Sequence, residues 1–69
     1  MEKLKINGVE KQFPEGVPGT LAELIQNLGY DTAAIVAEID GQIIKKEDFD
    51  KTPLKQEQTV ELLRFVGGG

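Results

Sequence analysis

The chain contains no cysteine, no histidine and no tryptophan. Without cysteine there are no disulfides, and without a Cys/His set there is no structural zinc, so the staples of small secreted domains are missing. A fold that stands on packing alone suits a reducing compartment, and a cytoplasmic location is expected. The same absences remove the usual nucleophiles and bases. The only hydroxyls are Thr20, Thr32, Thr52, Thr59 and Tyr30, none with an apparent base partner, so the chain is not expected to be an enzyme.

Long apolar runs are lacking too. The longest is Ala33-Ala34-Ile35-Val36-Ala37, far short of the about 20 residues of a membrane-spanning helix, and no apolar signal segment opens the chain. No membrane association is expected. Excess positive charge is also absent. The formal net charge is −4, with residues 1–14 at +1, residues 15–50 at −6 and residues 51–69 at +1. An acidic middle repels phosphate backbones, which disfavours nucleic acid. It is compatible with a basic protein partner or with a simple solvated face.

What is present is an ordinary globular composition in a short chain. The 69 residues are 39% hydrophobic and 29% charged, outside the regime of disordered sequences. A domain of this size buries only about 60% of the surface of its unfolded chain. One small, densely packed core is therefore expected.

Residues 2–13, EKLKINGVEKQF, place Leu4, Ile6, Val9 and Phe13 among charges around Asn7-Gly8. Asn-Gly favours the type I′ turn, so the chain opens with a β-hairpin. Pro14 and the stretch Glu15 to Gly19 break regular structure. Thr20-Leu21-Ala22-Glu23 then reads as a capping box. Leu21, Leu24, Ile25 and Leu28 fall on one helical face, and Gly29 stands where a C′ glycine ends a helix. Tyr30 is expected to pack on that helix end.

AAIVAEID, residues 33–40, reads as a strand, Asp40-Gly41 as a turn and Gln42-Ile43-Ile44 as a short return strand. Lys45 to Phe49 reads as a helical turn or loop with Phe49 inward, and Pro53 forbids a central strand there. Thr59 to Val66 is the last strand. If Val60 and Leu62 face the core, alternation turns Glu61, Leu63 and Phe65 outward.

An amphipathic helix over a mixed sheet is the simplest two-layer solution for this order. With the first and last strands side by side in the middle, it is an α+β chain of the β-grasp, ubiquitin-like fold. We expect a mixed sheet of four to five strands with one main amphipathic helix packed across it. Residues 1–66 form the single domain and residues 67–69 a flexible tail.

Candidate chemistry is sparse. Glu47, Asp48 and Asp50 form the one dense carboxylate cluster but lack calcium-loop spacing, so no metal site is expected. Gly16 and Gly19 make no phosphate-binding pattern, and Asn7-Gly8 and Asp40-Gly41 read as turns. The C-terminal tail remains. Gly67-Gly68-Gly69 follows directly on a strand rich in Val, Leu and Phe. Three extended glycines carry a carboxylate roughly 10 Å past the strand. That suffices to enter a partner's narrow active site, where any Cβ would be excluded. The reactive group is then the Gly69 α-carboxylate. It needs activation, most economically as an acyl-adenylate formed from ATP by a separate enzyme. Displacement of AMP by a sulfur nucleophile leads to a thiocarboxylate, and displacement by a lysine amine gives an isopeptide bond.

The Asn-Gly hairpin, the stretch VAEIDGQIIKKEDFD and above all VELLRFVGGG resemble the ThiS family, the sulfur carriers of thiamin biosynthesis. The resemblance runs the full chain, though only the last ten or so residues approach a motif. It implies adenylation of Gly69 by a ThiF-type enzyme using ATP and Mg²⁺, with no cofactor bound to the carrier itself. It further implies sulfur supplied from cysteine through a desulfurase, and delivery of the thiocarboxylate sulfur to thiazole synthase. Gly68 and Gly69 match the family's Gly-Gly end, extended here by Gly67. Phe65 and Val66, with outward Leu63, match the apolar lead-in pressed onto partners. Other readings stay open: a molybdopterin synthase small subunit-like carrier, a ubiquitin-like protein modifier, or an interaction module with an incidental tail.

Overall fold

Alternating side chains and glycine-bearing turns in the first 13 residues produce the expected hairpin. In the computed structural model, which describes residues 1–64, strands β1 (Glu2–Ile6) and β2 (Val9–Phe13) pair antiparallel with Ile6 opposite Val9. Asn7 and Gly8 take φ of 51° and 82°, the left-handed conformation that a type I′ turn demands and that Asn and Gly tolerate.

Helix α1 (Leu21–Asn27) begins at a complete capping box. The Thr20 hydroxyl accepts from the Glu23 N–H at 3.3 Å, and the Glu23 carboxylate accepts from the Thr20 N–H at 3.1 Å. The helix ends in a Schellman motif around Gly29, φ 83°. Gly29 N–H donates to Gln26 C=O and Tyr30 N–H to Ile25 C=O, satisfying two carbonyls the helix leaves unpaired. Leu21, Leu24 and Ile25 are fully buried, with Leu28 half-buried beside them. Each fully buried side chain of this size contributes about 1.5–3 kcal/mol.

The strand expected at residues 33–40 starts later. Ala33 and Ala34 belong to a 3₁₀ turn (Thr32–Ala34), because Asp31 Oδ1 accepts the Ala33 N–H at 2.9 Å and bends the chain. Strand β3 (Ile35–Ile39) begins where a ladder partner becomes available, Ile35 opposite Arg64. Asp40-Gly41 forms the turn, and β4 (Gln42–Ile44) returns antiparallel. A second 3₁₀ segment (Lys46–Lys51) buries Phe49, as expected. Pro53 lies outside the strands, in an isolated bridge with Thr20.

Strand β5 (Thr59–Arg64) closes the architecture. The sheet order is β2-β1-β5-β3-β4, with β5 parallel to β1 and antiparallel to β3. The first and last strands are thus neighbours in the interior of a five-stranded mixed sheet, crossed on one face by α1. This is the β-grasp arrangement. Leu4, Ala37, Val60 and the α1 stripe form the centre of the core between the two layers. The expected end of the last strand at Val66, and with it the boundary between domain and tail, lies outside the described residues.

Candidate functional site

Strand alternation sorts β5 as the sequence suggested. Val60 and Leu62 are buried, whereas Glu61 is exposed and Leu63 is 66% exposed. The outward place of Leu63 is therefore observed. The other expected site residues, Phe65, Val66, Gly67, Gly68 and Gly69, lie outside the described residues.

Both neighbours hold β5, but unequally. On one side β3 pairs with it from Val60 to Arg64. On the other, the β1 ladder reaches only Val60. The side-chain amide of Asn7 continues it: Leu62 N–H donates to Asn7 Oδ1 at 2.7 Å, and Asn7 Nδ2 donates to Leu62 C=O at 3.2 Å. Asp40 secures the start of β5, accepting the Thr59 N–H at 2.9 Å on Oδ1 while its own N–H donates to Thr59 C=O. Two residues read as plain turn formers thus also position the strand that leads to the C-terminus. No sequence signal marks this, because Asn and Asp are the residues such turns prefer anyway.

Arg64, the last described residue, places its guanidinium 5.4 Å from the centre of the Tyr30 ring, a cation–π distance. Tyr30 is half-buried directly after the Schellman glycine, as its helix-end reading predicted, and also supports the end of β5. On the outer face, Leu63 lies opposite Val36, and Glu61 opposite Glu38. Glu47, Asp48 and Asp50 lie on the second 3₁₀ segment. Among the described residues no group of three His, Cys, Asp or Glu side chains comes together to hold a metal ion. No helix is long and apolar enough to cross a membrane among them either.

The five-stranded sheet has the β-grasp order, with β5, the last described strand, at its centre. The family model described as the ThiS family matches residues 2–69. The chain belongs to the ThiS family, the sulfur carriers of thiamine biosynthesis. Its kinship is visible in both sequence and fold. The sulfur carrier protein ThiS of Bacillus subtilis is 27% identical over 66 residues, covering 96% of this chain and 98% of that protein. The crystal structure of the thiamine biosynthesis protein ThiS from Geobacter metallireducens superposes with a TM-score of 0.82 at 29% identity, covering 97% of this chain and 99% of that one. A solution structure of a thiamine biosynthesis protein from the same organism gives 0.77 at 32% identity, covering 97% and 87%. A thiazole synthase of Paramagnetospirillum magneticum is 30% identical over 67 residues. That match covers 97% of this ThiS-family chain but only 20% of the thiazole synthase, so the larger protein contains a ThiS-like segment within a much longer chain.

Proposed function

We propose that this ThiS-family chain carries sulfur on the α-carboxylate of Gly69 and delivers it to thiazole synthase. The observation that carries this reading is the extent of the family match. It runs to residue 69 and so includes Gly68-Gly69, whose α-carboxylate is the group assigned the cargo in this reading. A ThiF-type enzyme, using ATP and Mg²⁺, joins the carboxylate oxygen to the α-phosphorus and releases pyrophosphate. A persulfide, charged by a cysteine desulfurase, attacks the acyl carbon and expels AMP. A second thiol cleaves the resulting acyl disulfide, leaving the thiocarboxylate and a disulfide on the donor side.

In this scheme the chain is the substrate that is modified and passed on, not the catalyst. The absence of cysteine supports that role, since an internal thiol would attack the activated end or form mixed disulfides. ATP and reduced thiols are both supplied in the cytoplasm. Thiazole synthase as acceptor is supported by the Paramagnetospirillum relative, in which a thiazole synthase and a ThiS-like segment share one chain. The match to ThiS also favours thiamine biosynthesis over the related molybdopterin synthase small subunit. Leu63, with Phe65 and Val66 beyond it, supplies apolar contact to the partners.

The test is the intact mass of the chain after incubation with a ThiF-type enzyme, ATP, Mg²⁺ and a sulfur donor. Exchange of one oxygen for sulfur, mapped to Gly69, is expected. An unchanged mass, with an enzyme shown to be active on another carrier, would overturn the proposal.

A further inference from the structure

Asn7 holds β5 at three points. Its backbone N–H donates to Val60 C=O at 2.9 Å, and its side-chain amide engages both backbone groups of Leu62. The same residue is the most reactive of its type in the chain. Asparagine is thermally labile, because the backbone nitrogen of the next residue can attack the side-chain carbonyl carbon and close a succinimide ring. A side chain on that next residue hinders the attack. Of the two asparagines, Asn27 precedes Leu28 and Asn7 precedes Gly8. Gly8 is exposed, and beyond its chain neighbours no atom lies within 4 Å of the position a Cβ would take.

The contacts that place β5 also oppose this reaction. To meet the Gly8 nitrogen, the Asn7 amide carbon must turn away from β5. Oδ1 and Nδ2 both bind Leu62, at 2.7 and 3.2 Å, and so fix the amide plane against the backbone of that strand. Ring closure therefore requires the Leu62 rung to open first. The backbone pairs of the β1·β5 ladder end at Ile6 and Val60, and local opening costs least at such an end.

The step needs no co-reactant except water. The Gly8 nitrogen bonds to Asn7 Cγ and gives up its proton, the Cγ–Nδ2 bond breaks, and ammonia leaves with that proton. Water then adds to one of the two ring carbonyls, and the ring opens. Scission at Cγ gives aspartate, and scission at the Asn7 main-chain carbonyl gives isoaspartate. Either product breaks the rung. The aspartate still accepts from Leu62 N–H but has no donor for Leu62 C=O, which leaves two oxygens facing each other. The isoaspartate routes the main chain through Cβ and Cγ, adds a methylene to a two-residue turn, and removes the amide from β5.

We propose that Asn7 is a site of spontaneous deamidation, gated by its own hydrogen bonds to Leu62, and that its conversion frees β5 on the β1 side. Beyond Val60 the converted chain holds this strand through β3 alone. The modification is independent of the carrier chemistry and is tested on the chain by itself. The competing account is that the Asn-Gly dipeptide alone sets the rate, and it predicts equal conversion in the folded and the unfolded chain.

The experiment incubates the chain at mildly alkaline pH, native and in concentrated urea, and follows by peptide mass mapping the exchange of an amide NH2 for OH at Asn7 and Asn27. Asn7 is expected to convert in both, about ten- to a hundredfold more slowly in the native chain because only molecules with an open rung react. Asn27 is expected to lag behind it in both. Deuterium exchange then reads the strand. The Leu62 N–H is expected to exchange about tenfold faster in Asn7→Asp than in the wild type, and to accelerate more than the N–H of Leu24 in the core. The converted wild type, separated by its added charge, is measured beside that variant. Equal rates in native and unfolded chain would overturn the gate. Conversion of Asn27 as fast as Asn7, or no native conversion of Asn7 within about a hundred half-lives of the unfolded chain, would overturn the site. Unchanged Leu62 exchange in the variant and in the converted chain would overturn the release of β5.

Discussion

The side-chain amide of Asn7 pairs with the backbone of Leu62 as a strand residue would, accepting at 2.7 Å and donating at 3.2 Å. It adds a rung to the parallel β1·β5 ladder beyond Ile6 and Val60, the last backbone pair. One residue thus serves both the hairpin turn and the placement of the strand leading to the C-terminus. Asn7→Gly separates the two roles, because glycine keeps the positive φ and loses the amide. It is expected to cost about 1–3 kcal/mol in urea denaturation, chiefly from leaving the Leu62 N–H and C=O unpaired. A loss of only a few tenths would show that water replaces the amide without penalty.

Leu24 is fully buried at the centre of the α1 stripe. Leu24→Ala is expected to cost about 2–5 kcal/mol, the transfer loss plus the cavity left behind. In a domain this small each kcal/mol lowers the melting temperature by about 4–8 °C. Calorimetry measures the drop directly.

The ammonium of Lys3 is held charged to higher pH than its usual value of 10.5 by its hydrogen bond to Glu10, by the charge of Glu10 and by that of Glu57. Because the folded value is raised, the pair's contribution is fully present below 10.5 and is lost as pH rises through the folded value. The pair is exposed, so the effect is small. The melting difference between wild type and Lys3→Met is expected to be constant from about pH 7 to about 9 and to shrink at higher pH. A difference that grows in alkali would contradict this.

Adding one residue after Gly69 separates stability from carrier chemistry. The addition is separated by five residues from Arg64, the last described residue of β5, so thermal melting is expected to be unchanged. Adenylation by a ThiF-type enzyme is expected to be abolished, because the reacting carboxylate is displaced and now carries a Cβ beside it if the added residue is alanine. Normal adenylation of the extended chain would sink the mechanism.

Much of the fold is legible one segment at a time. Thr20 and Glu23 announce the start of α1, Gly29 its end, and Asn7-Gly8 and Asp40-Gly41 their hairpins, because each signal acts over a few residues. Alternation alone predicts the inward Val60 and Leu62 and the outward Leu63. The late start of β3 escaped that reading because Ala33 and Ala34 suit strand and turn alike, and the Asp31 side chain tips the choice. For the functional region, the glycine terminus is legible as composition. The surface beside it is not.

Turns, caps and the face each side chain takes follow from residue order, since their physics is confined to neighbours in the chain. Which strands lie side by side does not. The Asn7 and Leu62 groups that hydrogen-bond are 55 positions apart, and the opposition of Glu38 and Glu61 exists only once β3 and β5 adopt their register. Such contacts form after a long loop has closed, and burial of the whole core, rather than any local preference, decides where it closes. The residues that present the C-terminal strand and its acidic, apolar face are therefore properties of the folded molecule.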